Sequence, residues 1–408
     1  MTQLNFSLSA EEFIGLFCEG RETALRTLLE KVLNQFLQVE SQAQLGAERY
    51  ERSAERTDYR NGSRLRQMTT RVGKVNLEVP RHRHKAFHSV LMEKYQRNER
   101  AFLSVLMEMV LQGVSTRKVE KITQKMCGTK FSKSHVSEIC KNLDPVVERF
   151  KNRRLDEDEY PFVMADAIYV KVRENFRVRS KGFLVALGFN TDGKREILGF
   201  ELCETETEYH WKSFFQSLKE RGLKGVDFVT SDDHQGLVCA IQKVFPKASW
   251  QRCQFHFTRN ILSAAPKRYQ KGLATELKDM FNAETEEAMR QVRNEILDDY
   301  AEVAPKAMQI LDEGYFDATT VMSLPSRYRV PLRTSNYLER ENEEIRRRER
   351  VIRVFPNKDS ALRLLGALLL DHHEQWSFRS RTFNMKEYLS SRERFCQQTK
   401  ERMIARQF

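Results

Sequence analysis

Two aspartates stand in apolar segments, where a carboxylate would have few water molecules around it. Asp166 interrupts the run FVMADAIYV, and Asp232 lies beside Asp233 at the end of a second run in VTSDDHQGL. A buried carboxylate costs several kcal/mol unless it is paired or bound to a metal. An edge position or a structural hydrogen bond would also account for Asp166. The Asp232–Asp233 pair allows a metal site, acid–base chemistry or the cap of a following helix.

A cysteine and a histidine, Cys253 and His256, follow in the pattern C-x-x-H. A structural zinc site needs about four ligands, and here His372 and His373 would have to supply the others. The seven cysteines are odd in number and scattered, without a CxxC pair, so a disulfide framework is not expected. Zinc binding is therefore the less favoured interpretation of this pattern.

The balance of charges points to a polyanionic partner. The 408 residues include 69 Lys and Arg against 57 Asp and Glu, a net charge of +12, which favours nucleic acid. No apolar segment approaches the roughly 20 residues that a bilayer requires. The start, MTQLNFSLSAEEF, has neither the basic region nor the apolar core of a signal peptide. We therefore expect a cytoplasmic protein without membrane contact.

Predicted strands and helices alternate along residues 158–259. Three strands form a meander and are followed by a helix, a short strand, a second helix and a fifth strand over 248–257. This order is typical of an RNase H-like α/β fold with a mixed five-stranded sheet. Such sheets carry one carboxylate on the first strand and one after the fourth, positions that Asp166 and Asp232 hold here.

Five motifs in this part of the chain resemble, in this order, the Mutator-type transposases of bacterial insertion sequences. They are ADAIYVKVREN, GFNTDGKREILGFEL, VTSDDHQGL, WQRCQFHFTRN and RTSNYLERENEEIRRR, and upstream RNGSR…GKVNLEVPRHR and GVSTRKVEKI resemble the same family. The similarity extends from about Arg56 to Trp376. It implies a DDE transposase that binds the terminal inverted repeats of its insertion sequence and catalyses metal-dependent DNA strand cleavage and strand transfer.

Carried over by motif, the resemblance assigns catalysis and metal binding to Asp166, Asp232 and Glu339. Asn336 and Glu339 would also fit a helix N-cap with its reciprocal glutamate, and three further glutamates follow within five residues. The family pattern selects Glu339. The implied cofactor is a pair of Mg²⁺ ions, for which Mn²⁺ can substitute, since hard cations prefer carboxylate oxygens. Such ions stabilise the attacking and leaving oxygens of an in-line displacement.

The resemblance also implies roles for the other residues and segments of this region. It leaves Asp233 to cap the following helix, and it gives the C-x-x-H signature of Cys253 and His256 the role of shaping the site. An all-α insertion over 260–330 is expected before the last catalytic helix, and the final helices and the tail fill 331–408.

A basic β-hairpin and a helix-turn-helix are predicted upstream. N-terminal helices and the hairpin fill 1–95, where alternating apolar residues over 75–79 follow a turn over 72–74. The hairpin is basic almost throughout, which favours contact with the DNA backbone over a merely solvated face. The expected contacts are Arg60, Arg64, Arg66, Arg71, Lys74, Arg81 and Arg83.

The helix-turn-helix is predicted within 96–150, from two short helices around a glycine-containing turn, although plain helical hairpins share this outline. Ser132 is expected to cap the second helix. In a helix-turn-helix, that helix would offer its first residues to a major groove of DNA. These are Lys133, Ser134, His135 and Ser137.

Two further features bear on partners. The arginines after Glu339 fit either a solvated face with Glu–Arg pairs or contact with a phosphate backbone, which we prefer for Arg346, Arg347 and Arg348. Apolar residues at helical spacing over 25–37 fit a helix packed on its own domain or a dimer helix.

The family implies a homodimer that joins two double-stranded DNA ends and a target, at the nucleoid of a bacterial cytoplasm. A non-cleaving DNA-binding regulator derived from a transposase is the rival interpretation.

Overall fold

The computed structural model describes most of the chain and divides it into two compact units, Met1–Asn142 and Leu143–Phe408. No helix within the described ranges is long and apolar enough to cross a bilayer. The finer division of the chain into five parts stays a prediction. The described residues are 21–52, 54–70, 72–90, 99–127 and 131–405.

A long helix supports the predicted hairpin in the first unit. Helix α1 (Arg21–Leu45) packs on β1 (Arg60–Thr70) and β2 (Gly73–His82), which pair in antiparallel register. The alternating residues of β2 face α1, which confirms the predicted hairpin. The amide of Asn34 on α1 donates to the carbonyl of Asn76 at 3.0 Å, so α1 also covers the edge of β2. The buried cluster is Leu37, Met68, Val75, Leu77 and Val79.

Three short helices share a second core in this unit. They are α2 (Arg100–Leu111), α3 (Thr116–Cys127) and α4 (Lys133–Cys140). The Ser132 side chain accepts a hydrogen bond from the backbone N–H of His135 at 3.2 Å, which confirms the predicted cap. Residues 128–130, in the predicted turn, lie outside the described ranges. The core contains Phe102, Leu106, Val119, Phe131, Val136, Ile139 and Cys140.

A mixed five-stranded sheet forms the centre of the second unit, as the strand pattern predicted. The strand order is β5-β4-β3-β6-β7, in which the β3, β4 and β5 meander is antiparallel and β3, β6 and β7 are parallel. The parallel strands therefore end at one common edge of the sheet. The strands are β3 (Phe162–Glu174), β4 (Arg177–Phe189), β5 (Arg195–Cys203), β6 (Phe228–Ser231) and β7 (Ser249–Arg252).

Helices cover both faces of this sheet. One face packs on α6 and α7 through a core that includes Val163 and Ala165 of β3. Because side chains alternate along a strand, Asp166 points to the opposite face, where α13 and α14 pack. These helices, with those at the two ends of the unit, are α5 (Asp144–Lys151), α6 (Glu208–Glu220), α7 (Gln235–Val244), α13 (Asn336–Ile352), α14 (Lys358–Ser377) and α15 (Lys386–Ala405).

The segment between β7 and α13 is helical, as expected for the insertion, but it begins earlier than predicted. The fifth strand was predicted over 248–257. It ends at Arg252 because β6, its partner, ends at Ser231. Phe257 and Ile261 then face the core of the inserted helices at helical spacing. These helices are α8 (Gln254–Ala264), α9 (Lys267–Asn282), α10 (Glu286–Tyr300), α11 (Pro305–Ala318) and α12 (Ser326–Leu332), with a 3₁₀ turn at Thr320–Ser323.

Gly193, in the turn between β4 and β5, allows a close backbone approach. Its φ is +78°, and a Cβ atom there would lie 2.0 Å from the carbonyl oxygen of Phe383. The Thr382 and Phe383 N–H groups donate to the Gly193 carbonyl at 2.8 and 3.2 Å. The turn therefore holds the segment that joins α14 to α15.

We predict that Gly193→Ala lowers the free energy of unfolding by more than about 2 kcal/mol, because a left-handed conformation and a backbone clash act together. Gly62→Ala is the matched control. Its φ is +72°, and no described atom lies within 4 Å of the Cβ it would gain, so it should cost only about 1 kcal/mol. Urea denaturation of each variant measures both losses. Equal losses would contradict the role assigned to the Phe383 contact.

Candidate active site

Asp166 lies on β3 with its carboxylate buried and hydrogen-bonded. Only 9% of the surface of Asp166 is exposed. One oxygen accepts from the backbone N–H of Ala167 at 2.8 Å, and the other accepts from Nδ2 of Asn342 at 2.8 Å. Asn342 belongs to α13, so this buried bond joins the helix to the strand. A structural hydrogen bond was one of the explanations that the sequence left open for Asp166.

Asp232 directly follows β6, the parallel neighbour of β3. Met164 and Thr230 are opposite one another in the two strands, so both carboxylates lie toward the same edge of the sheet. Burial, and after it the negative charge of Asp232, raise the pKa of Asp166 to about 7. The two aspartates therefore interact electrostatically across adjacent strands.

Glu339 lies in the first turn of α13. The N-cap position is held by Ser335, and Asn336 is the first helical residue, so the alternative cap formed by Asn336 is wrong. The Ser335 hydroxyl lies 3.4 Å from Oε1 of Glu339. Of the competing glutamates, Glu341 pairs with His372, and a second pairs with an arginine of its own helix.

Cys253 and His256 approach Glu339 closely. The potential ligand atoms of the three side chains all lie within 4.8 Å of one another. His372, proposed as a further zinc ligand, instead contacts Glu341, and the ring of His373 accepts from the backbone N–H of Ile197. The set that the structure brings together therefore contains one sulfur, one imidazole and one carboxylate.

Cys253 joins the segments that carry Asp232 and Glu339. Its backbone N–H donates to the carbonyl of Ser231 at 2.7 Å, next to Asp232. Its buried Sγ accepts from the backbone N–H and the hydroxyl of Ser335 at 3.4 and 3.3 Å, at the start of the helix of Glu339. Cys253 therefore links the end of β6 to the start of α13, and the site-shaping role of the C-x-x-H signature stays a prediction.

His256 lies beside groups that favour its protonated form. The adjacent Cys253 side chain, and then the charges of Asp166 and Glu339, raise the pKa of His256 to about 9 against the opposing effect of burial. Burial alone would raise the pKa of Cys253, but its contacts with His256 and Ser335 outweigh burial and lower that pKa. The surroundings of His256 therefore favour an imidazolium beside the acidic groups of the site.

Asp233 does not cap the following helix as predicted. Helix α7 begins at Gln235, and its N-cap position is held by His234. The Asp233 carboxylate instead forms an ion pair with Arg252 at 2.9 Å, at the end of the neighbouring strand β7. The positive charge of Arg252 gives the Asp233 carboxylate a partner of opposite charge, which the N-cap position of α7 lacks. Asp233 therefore joins the ends of β6 and β7.

A further carboxylate, Glu206, was missed by the sequence analysis. It follows β5 at the same edge of the sheet, with its side chain only 9% exposed, and it accepts from the Trp211 indole at 3.0 Å. Burial raises its pKa, and the charge of Asp232 adds to this effect. Glu206 lies in the polar segment ETETE, without the apolar context that marked Asp166. Its position shortly after β5, a strand that ends at the same edge of the sheet as β3, was the available signal.

The predicted DNA-contacting residues divide into exposed and structural groups. Arg60 donates to the carbonyls of Ala47 and Glu48 at 2.9 and 3.1 Å, so it supports the hairpin. Arg348 is 3% exposed and pairs with Glu344. Arg66 is half-buried, and Arg71 lies outside the described residues. The exposed members are Arg64, Lys74, Arg81, Arg83, Lys133, Ser134, His135, Ser137, Arg346 and Arg347.

The proteins that this chain resembles are transposases of insertion sequences. It is 42% identical over 386 residues to the transposase for insertion sequence element IS256 in transposon Tn4001 of Staphylococcus aureus, covering 94% of this chain and 99% of that protein. It is 42% identical over 363 residues to the transposase for ISRM5 of Rhizobium meliloti, covering 89% and 91%. For the IS1081 transposase of Mycobacterium tuberculosis the identity is 38% over 353 residues, covering 86% and 85%.

Residues 2–379 match the family model described as Transposase, Mutator family. The chain therefore belongs to the Mutator family of transposases, which confirms the resemblance found in its motifs. Among solved structures, the Drosophila P element transposase strand transfer complex shares 9% identity and a TM-score of 0.31, over 67% of this chain and 79% of that one. A likeness of this size carries no argument about the site.

The raised pKa of Asp166 predicts how stability changes with pH in protein kept free of metal by EDTA. The folded state holds the Asp166 proton up to about pH 7, whereas the unfolded chain releases it near its usual pKa of 3.8. The contribution of Asp166 to the free energy of unfolding should therefore fall as pH rises from about 4 to 7 and level off above 7.

Urea denaturation at pH 5 and pH 8 measures this change, with Asp166→Asn as the matched variant because it cannot titrate. The wild-type protein should lose more stability than the variant between the two pH values. Parallel behaviour of the two proteins would show that Asp166 ionises normally in the folded state.

Proposed function

We propose that this chain is a DDE transposase that binds the terminal inverted repeats of its insertion sequence and catalyses Mg²⁺-dependent strand cleavage and strand transfer. The main support is that Asp166 and Asp232 lie toward one edge of the sheet, where the charge of Asp232 acts on Asp166, and that Glu339 lies in the first turn of α13, the helix whose Asn342 binds Asp166. The strand order of the sheet also supports an RNase H-like assignment. The named activity of the relatives agrees with this proposal.

The donor set fits the pair of Mg²⁺ ions that this class of reaction uses. Asp166, Asp232 and Glu339 offer carboxylate oxygens, the ligands that hard cations prefer. Burial and the charge of Asp232 disfavour the ionised form of Asp166, so a bound cation would stabilise its carboxylate. When bound, the ions stabilise the attacking and leaving oxygens of the in-line displacement.

The other residues of the site would orient these carboxylates and the DNA. Asn342 fixes one oxygen of Asp166, and Cys253 holds the start of α13 through Ser335. The protonated His256 supplies a positive charge that suits a phosphate oxygen. Water would be the nucleophile for cleavage, and the released 3′-OH would be the nucleophile for transfer. The reaction therefore needs no covalent bond between protein and DNA.

We assign recognition of the terminal repeats to the first unit and propose a homodimer that brings two ends together. The exposed first residues of α4 suit a major groove, and the exposed cations of the hairpin suit the phosphate backbone. Arg60 and Arg348 are left out of this interface because both are engaged within the protein. Arg346 and Arg347, exposed on the helix of Glu339 in the second unit, are assigned instead to the phosphate backbone beside the carboxylates.

The decisive experiment is cleavage of a duplex that contains an end of the insertion sequence, with the full chain and Mg²⁺. We predict that Asp166→Asn, Asp232→Asn and Glu339→Gln each lower strand cleavage by roughly a thousandfold or more, with end binding retained. Glu343→Gln, which changes an exposed glutamate of the same helix, should cleave as the wild type does.

Retained cleavage by Asp166→Asn would overturn the assignment of the three carboxylates. A wild-type protein that binds the ends specifically but leaves them intact at all Mg²⁺ and Mn²⁺ concentrations would instead favour the non-cleaving regulator.

We further predict that Cys253→Ala lowers cleavage by about a hundredfold without changing affinity for the ends, because small displacements of catalytic groups are costly. Cys253→Ser, which keeps a hydrogen-bond acceptor for Ser335, should be less impaired. The control is Cys239→Ala, on α7. If elemental analysis finds one equivalent of zinc in the wild-type protein and none in Cys253→Ala, Cys253 is a metal ligand and the positioning role is wrong.

A further inference from the structure

The β3–β4 hairpin extends well beyond the sheet. Strand β6 pairs with β3 only over Phe162–Met164, and β5 pairs with β4 only from Gly182 onwards. Residues 170–181 therefore form a two-stranded projection, called here the arm. Its strands stay in register from Val170 opposite Lys181 to Glu174 opposite Arg177.

The arm is held in a fixed position at its base. The buried ammonium of Lys181 pairs with Glu174 and lies 2.5 Å from Glu204. Phe355, which follows α13, forms a bridge beside Val172, with hydrogen bonds of 2.8 and 2.9 Å to the backbone of residues 171 and 173. The arm is thereby joined to the end of the helix that carries Glu339.

An aromatic side chain occupies the tip. Phe176 is fully exposed, at 102% of its reference area. Asn175 and Phe176 have φ values of 45° and 63°, a two-residue turn in which glycine and asparagine are favoured and a bulky residue is uncommon. The chain thus presents a phenyl ring to solvent at a position where the backbone conformation disfavours it, which points to a function for the ring.

The arm also carries four exposed cations. No salt bridge to any of them is formed by the part of the chain that the structure describes, and its single acidic residue, Glu174, is already paired. The four are Lys171, Arg173, Arg177 and Arg179. By the strand register, Lys171 and Arg173 lie on one face of the arm and Arg177 and Arg179 lie on the other, so cations flank the exposed ring on both sides. This set suits nucleic acid, because phosphates contact the cations and bases stack on the ring.

The direction of the arm places these groups beside the proposed active site. The arm leaves the sheet at the edge where β6 ends and Asp232 follows, because β3 and β6 are parallel. Eight residues of strand separate Asp166 from Glu174, a span of about 26 Å, or roughly eight base pairs of duplex. DNA bound with its scissile phosphate at Asp166 can therefore run along the arm.

We propose that the arm binds DNA within one helical turn of the cleavage site, with its four cations on phosphates and Phe176 stacked on a base. Resting on the proposed function, this inference adds a second DNA-binding surface, in the catalytic unit. A base becomes accessible where the duplex is distorted at the site, and an apolar or aromatic side chain can then insert between base steps.

The first test measures binding of the full chain, in EDTA, to a duplex that contains an end of the insertion sequence and the adjoining DNA. Arg173→Ala/Arg177→Ala should weaken binding, and its salt dependence on a log–log plot should be shallower by about two units. Lys194→Ala/Lys247→Ala is the control, because both lysines lie at the opposite edge of the sheet. It should bind as the wild type does.

The second test examines the ring with 2-aminopurine placed singly at positions on both sides of the cleavage site. Stacking of Phe176 should alter the fluorescence at one position. Phe176→Ala should abolish that change and lower cleavage on the order of tenfold, whereas Phe176→Trp should retain both. Phe378→Ala, which removes another exposed ring, should have no effect.

Unchanged DNA affinity and unchanged fluorescence in the arm variants would overturn the arm proposal, even if the wild type cleaves. Since binding is measured without Mg²⁺, the arm can be confirmed or rejected even if no cleavage occurs and the proposed function fails. Arm variants that alter the sedimentation of the protein but not its DNA affinity would assign the arm to contact between copies of the chain and also overturn the proposal.

Discussion

The burial of a carboxylate on the central strand is the constraint on which the site depends. Asp166 is held by two hydrogen bonds, from Ala167 and Asn342, yet burial and the charge of Asp232 still oppose its ionisation. Acidic groups that repel one another stay together only when rigid elements hold them. The hydrogen-bonded sheet and the packed helix α13 supply that rigidity, so the folding free energy of the second unit maintains the arrangement.

The second requirement is that the segments carrying Asp232 and Glu339 come together although the inserted helices separate them in sequence. Three contacts close this long segment at its two ends. The buried Thr230 hydroxyl donates to the Leu332 carbonyl at 2.8 Å, the Gln254 N–H donates to the Arg333 carbonyl at 2.9 Å, and Cys253 accepts from Ser335. Closing a long loop costs entropy, and buried hydrogen bonds beside the site help to offset that cost.

Much of the sheet could be predicted from the sequence because strand alternation and turn residues are local signals. The end of β7 could not, since it depends on the length of its partner β6, and the aromatic residues after it suit a strand or a helix equally. Asp233 was misassigned because its partner Arg252 is contributed by another strand. The burial of Arg348 follows from helical phase, since it lies seven positions after Glu341 on the same face, a signal that the arginine-rich composition obscured.

The closure of the inserted helices has an evolutionary consequence. The two ends of the insertion are fixed to each other next to the strands, and Gln251 of β7 binds the end of α11 through the Ala318 carbonyl and the Val321 N–H. Between these anchors, α9 and α10 pack on each other. The core of the insertion, which includes Leu277, Ile296 and Leu311, is complete in itself. A segment attached in this way behaves as an exchangeable module. Lengthening, trimming or replacing it between the anchoring residues would leave the geometry of the chemistry intact, so lineages can diverge there while the sheet stays the same.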